Sequence, residues 1–147
     1  MNKYRGECLN LNKTVYGDLI TVQDTHRIRE YSRFTSNEYL VDSNTISQYT
    51  GLGDTNCKDI FNNDKVDFLG MKGEICFECG AFGIGFVDSI DYDLIQKEMD
   101  SRHWCCGNEY SGIFNDNFIS LWEIYWNFKC EEGAVDVVEI LEENNNG

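Results

Sequence analysis

Apolar residues in this chain recur mostly with the two-residue period of β-strands, and only once with the longer period of a helix. Thr14-Val15-Tyr16 and Leu19-Ile20-Thr21-Val22 are β-branched and aromatic runs separated by the turn pair Gly17-Asp18. Arg27 to Tyr31 alternates polar with apolar, and Glu38 to Asp42 predicts another short strand. Strands follow at 46–52, 60–61, 65–68, 74–77 and 82–87, with the polar segment Gly53 to Asp59 as a connection. The glycines of 80–85 predict bulges or tight barrel bends. The period then changes. Ile90, Leu94, Ile95 and Met99 form one stripe, with Asp91 placed as a cap, predicting a helix over 91–104. Phe118 to Trp126 is the most apolar stretch, and its period allows either a buried strand or a short helix. Val135 to Leu141 predicts a last strand, and 142–147 a disordered polar tail. The expected fold is therefore mainly β (α+β), a single domain over 1–141 with one helix near 91–104.

The middle of the chain carries a resemblance. Gln48-Tyr49-Thr50-Gly51-Leu52, then Asp54-Thr55-Asn56-Cys57-Lys58-Asp59-Ile60-Phe61-Asn62-Asn63-Asp64-Lys65-Val66, resembles the signature of the YopX family of phage and prophage proteins. In that family a Q-[FY]-T-G-L run precedes a hairpin of the type D-x-N-G-K-E-I-[FY]-E-G-D-x-V. Lys3-Tyr4-Arg5-Gly6 and Val15 to Ile20 are similar to the family's opening, and Val138 to Asn144, more loosely, to its close. Residues 88–130 match no part of it. The resemblance implies a small β-barrel-like domain and a phage or prophage origin. The absence of proline and the abundance of Asn, Ile, Tyr and Phe agree with AT-rich coding in a low-GC bacterium or its phages. Two departures stand out: Cys57 and Asn63 occupy positions where the family has glycine. Asn tolerates a left-handed backbone, but cysteine there costs about 1 kcal/mol, so the first turn is expected to be of another type.

Charge narrows the function. The chain of 147 residues has a net charge of −14. Residues 1–65 hold nine acidic and eight basic residues, and 66–147 hold seventeen and four. Such a molecule repels nucleic acid and anionic membranes and is attracted to basic protein surfaces. Arg27, Arg29 and Arg33 make only a small basic patch. No P-loop, dinucleotide fingerprint or nucleophile elbow is present, and His26 and His103 lie in no catalytic motif. The expectation is a binding protein, not an enzyme. Its acidic face would comprise Glu131, Glu132, Asp136, Glu139, Glu142 and Glu143, with Asp88, Asp91 and Asp93 next. The expected partner is a basic host or phage protein, in the sharpest form a nucleic-acid-binding nuclease whose groove the carboxylates occupy in place of a phosphate backbone. The rival readings are a self-assembling accessory protein, a homo-oligomer with 118–126 at its interface, and a small zinc-binding protein. Solubility alone also accounts for the charge.

Seven cysteines, with no apolar run behind the charges of Met1 to Asn10, predict reduced thiols and a bacterial cytosolic location. Cys76 and Cys79 form a C-x-x-C knuckle, and with His103 and Cys105 they are the candidate tetrahedral zinc ligands. The alternative is that these thiols are buried as small apolar groups. The aromatic residues of 118–125 with Trp104 are read mainly as core, with a binding surface as the alternative.

Overall fold

The computed structural model describes residues 3–102 and 117–142. It is mainly β, in two compact units: Met1–Tyr49 and Thr50–Gly147.

The first unit contains β1 (Tyr4–Glu7), β2 (Thr14–Val22), β3 (Thr25–Tyr31), β4 (Ser36–Leu40), a 3-10 turn (Ser43–Thr45) and the start of β5 (Ser47–Gly53). Strand order is β4-β3-β2-β1-β5, all antiparallel. β2 is longer than the two runs its sequence suggests, because Gly17-Asp18 does not turn. Gly17 lies opposite Tyr4, and a Cβ at this position would overlap the Arg29 carbonyl oxygen. Glycine is therefore required for the close approach to the Arg29 carbonyl, and β2 continues through it from its pairing with β1 over 14–17 to its pairing with β3 over 18–22. Among the described residues Val15, Ile28 and Val41 form the buried hydrophobic core here, with Tyr4, Cys8, Leu19, Tyr39 and Ile46 packed partly buried around them.

In the second unit the later half of β5 lies beside β6 (Asp59–Phe61). A five-stranded sheet follows, built of β7 (Lys65–Phe68), β8 (Met71–Glu78), β9 (Ala81–Phe86), β10 (Phe118–Ser120) and β11 (Val138–Ile140), in the order β10-β9-β8-β7-β11. Eighteen buried residues among those described form its core, including Phe68, Ile75, Ile84, Ile95, Ile119, Ile124 and Phe128. Phe68 meets Phe128 edge-on at 5.6 Å.

Helix α1 (Tyr92–Arg102) buries Ile95 and Met99, as its stripe predicts, and Asp91 caps it: Leu94 N–H donates to Asp91 Oδ1 at 3.1 Å. Residues 103 and 104 of the expected helix lie outside the described residues.

Several expectations are corrected. The sheets do not close into a barrel. β10 ends after three residues and the chain turns at once into a second helix, α2 (Leu121–Asn127), which packs on β9 and β10. The apolar stretch 118–126 is thus both strand and helix. The glycines of β9 mark neither bulges nor bends, since the β8–β9 register is unbroken from Gly73↔Phe86 to Glu78↔Ala81. A Cβ on Gly83 would overlap the Phe118 ring, and one on Gly73 would come within 2.6 Å of the Gly85 carbonyl oxygen. These glycines let strands and rings approach. Finally, the last strand begins at Val138, because Val138 N–H donates back to Val135 O in a turn.

Candidate functional site

Residues 54–64 form a scaffold built around two buried carboxylates. Asp54 is fully buried. Its Oδ1 accepts from the N–H of Asn56 (2.9 Å) and of Lys58 (3.0 Å), and its Oδ2 accepts from Ile140 N–H (3.0 Å). Thr55 N–H donates to Val138 O. The loop between β5 and β6 is thereby tied to β11. Asp64 does the same for the next turn: its Oδ2 accepts from Phe61 N–H at 2.8 Å. Cys57 and Asn63 both take the left-handed backbone that glycine favours, with φ of 62° and 75°. The expectation of a different first turn fails, because the three hydrogen bonds to Asp54 impose the left-handed residue regardless of its side chain.

The expected acidic face divides into engaged and available carboxylates. Asp136 pairs with Arg102 Nη1 at 2.9 Å, and the same guanidinium donates to the Phe128 carbonyl at 3.1 Å, so this pair clips α1 to the chain after α2. Cys130 Sγ also donates to Asp136 Oδ1 at 3.6 Å, and burial pushes the Cys130 thiol pKa up. Glu142 pairs with Lys58 Nζ at 2.8 Å, which lowers the Glu142 pKa and raises that of Lys58. Asp91 serves α1 as its cap. Glu131, Glu132, Glu139, Asp88 and Asp93 are exposed at the surface, while Glu143 lies outside the described residues.

Glu131 and Glu132 occupy a turn whose backbone is well anchored. Ala134 N–H donates to Glu131 O, Gly53 N–H donates to Gly133 O, and Gly133 N–H donates to the Tyr125 hydroxyl at 3.1 Å. Glu132 itself has φ of 58°. Glu139 stands on β11 opposite Asp67.

α2 contributes a feature that the reading of 118–126 as core passes over. Leu121, Ile124, Tyr125 and Phe128 face inward, but Trp122 is 43% and Trp126 69% exposed. The signal was present in the sequence as an i, i+4 tryptophan pair lying on the opposite side from the buried stripe.

The candidate metal ligands are only partly placed. Cys76 lies half-buried in β8, and Cys79 is exposed in the β8–β9 turn at φ of 53°. Burial first, then the nearby Glu78, raises the Cys76 pKa. His103 and Cys105 lie outside the described residues. Among the described residues no three His, Cys, Asp or Glu side chains cluster as a metal site would need.

In the first unit, Arg27 and Arg29 share one carboxylate, Glu38, which offsets part of the expected basic patch. Two open hollows of about 240 and 260 Å³ flank Leu40 there, one lined by Cys8, Arg27, Glu38 and Tyr39, the other by Asp24, His26 and Asp42. No helix among the described residues is long and apolar enough to cross a membrane.

The chain matches no family model and no curated protein. The site geometry and the charge therefore carry the functional argument.

Proposed function

We propose that this chain is a non-catalytic binding protein of phage or prophage origin, which presents carboxylates of residues 50–147 to a basic host or phage protein. The observation that carries the reading is how charge divides between the two units. Residues 1–49 contain six acidic and six basic residues, whereas residues 50–147 contain twenty and six. The whole net charge of −14 therefore belongs to one unit. Its exposed Glu131, Glu132 and Glu139 sit on backbone held by hydrogen bonds to neighbouring strands and to Tyr125. Spaced carboxylates on a firm backbone suit a groove built for phosphates, and a nucleic-acid-binding nuclease of a bacterial defence system is the most concrete partner of that kind. The resemblance of residues 46–68 to the YopX signature supports a phage or prophage origin, where such an inhibitor would have a use.

The test is retention of proteins from a bacterial lysate on the immobilised chain at low salt, followed by kinetics with what is retained. Binding should weaken steeply between about 0.1 M and about 1 M salt, as the Debye length falls from roughly 10 Å to roughly 3 Å. Reversing Glu131, Glu132 and Glu139 to lysine should slow association more than it speeds dissociation. Asp136 is left native because its reversal would break the Arg102 clip. Reversing Asp18, Asp24 and Glu30 in the neutral unit should matter far less. Equal losses from both triplets, or binding indifferent to salt, would reduce the charge to a solubility device.

A further inference from the structure

We propose that Trp122 and Trp126, together with the Glu131–Glu132 turn, form an arginine-docking patch on which the basic protein partner anchors. This rests on the reading above and names the residues that make the contact specific.

Trp122 and Trp126 lie one helical turn apart on α2, with ring centroids 6.3 Å apart and planes tilted by 30°. Between them stands Tyr125, its ring 5.3 Å from Trp122 and 5.2 Å from Trp126, and close to perpendicular to the latter at 85°. Tyr125 is buried, so the two indoles rest on a fixed support. The acidic turn is fastened to the same support. Gly133 N–H donates to the Tyr125 hydroxyl, and Cys130 N–H donates to the Tyr125 carbonyl at 3.0 Å. Exposed indole faces and the turn that carries the exposed Glu131 and Glu132 are thus held to a single buried residue, Tyr125.

This pairing of groups selects its ligand. A guanidinium is planar and weakly hydrated: it stacks on an indole face while its edge donates to a carboxylate. A lysine ammonium can satisfy the carboxylate but stacks poorly. The molecule already uses the same chemistry internally, where Arg102 lies 5.7 Å from the Phe128 ring centroid while pairing with Asp136. Charge complementarity fixes the class of partner. A second copy of the chain would bring another −14 to the patch, and a nucleic acid would bring phosphates. A basic protein surface brings arginine, and tryptophan with arginine is the pairing in which interface energy concentrates.

The experiment compares a capped oligo-arginine peptide with an oligo-lysine peptide of equal length and charge, each binding the full chain at low salt, with sizing by light scattering alongside. The arginine peptide should bind about fivefold to tenfold more tightly. Trp126→Ala should bring it down to the level of the lysine peptide, Trp126→Phe should keep part of the preference, and Glu131→Gln with Glu132→Gln should weaken both peptides. A thermal melt confirms that each variant is folded. Equal binding of the two peptides by the native chain, a preference that survives Trp122→Ala with Trp126→Ala, or self-association that those changes abolish would each overturn the patch and leave the acidic-face reading standing. Failure of both peptides to bind would overturn that reading as well.

Discussion

The two units differ in what holds them together. Residues 1–49 form a balanced, antiparallel ladder around three buried side chains, with Arg27 and Arg29 spanning to Glu38 across the sheet. Residues 50–147 pack eighteen buried apolar residues among those described, and their sequence carries the entire net charge. A large core can tolerate the self-repulsion of a crowded acidic surface, and a three-residue core cannot. Charge and core size therefore rise together in this chain.

The comparison can be broken at several points. The largest effect is expected at Asp54. Asp54→Ala removes a buried carboxylate that accepts three part-buried backbone hydrogen bonds, from Asn56, Lys58 and Ile140, and should destabilise the second unit by about 2–4 kcal/mol in denaturant unfolding. A loss under about 0.5 kcal/mol would mean that the loop finds water in place of the carboxylate. Hydrogen exchange should next separate the units: the amides of β7 to β9 should exchange about a hundredfold more slowly than those of β3 and β4. Uniform protection would show that the small core is not the weaker one. In the first unit, Gly17→Ala forces β2 away from the Arg29 carbonyl and should cost about 1–3 kcal/mol. The smallest change runs the other way. Cys57→Gly relieves a left-handed cysteine and should stabilise by about 0.5–1 kcal/mol, seen as a higher Tm. With a thiol reagent at neutral pH, exposed Cys57 and Cys79 should react well before Cys76 and Cys130, whose pKa values burial raises.

The β-rich fold class and the position of α1 were legible because they depend on local chemistry: alternation, turn residues and a cap at Asp91. α2 was not, because Trp122, Ile124, Tyr125 and Trp126 favour strands by propensity, whereas in the folded chain they form a helix packed on β9 and β10. Gly17-Asp18 misleads for the opposite reason, since a residue pair typical of turns serves here as a point of close strand contact. At the candidate site, exposure of the carboxylates could be read from composition, but their engagement could not. The Arg102–Asp136 contact spans 34 residues and the Lys58–Glu142 contact 84, distances over which only tertiary structure decides.

Asp54 also bears on what can pair with the β11 edge. β11 is the last strand of its sheet, and such a strand ordinarily offers its unpaired groups to any passing extended segment. Here the Ile140 N–H is occupied by a side-chain carboxylate and the Val138 carbonyl by the Thr55 N–H. The loop acts as a short imitation of a sixth strand that can take no seventh, so growth of the sheet by addition at this edge is capped from within the chain.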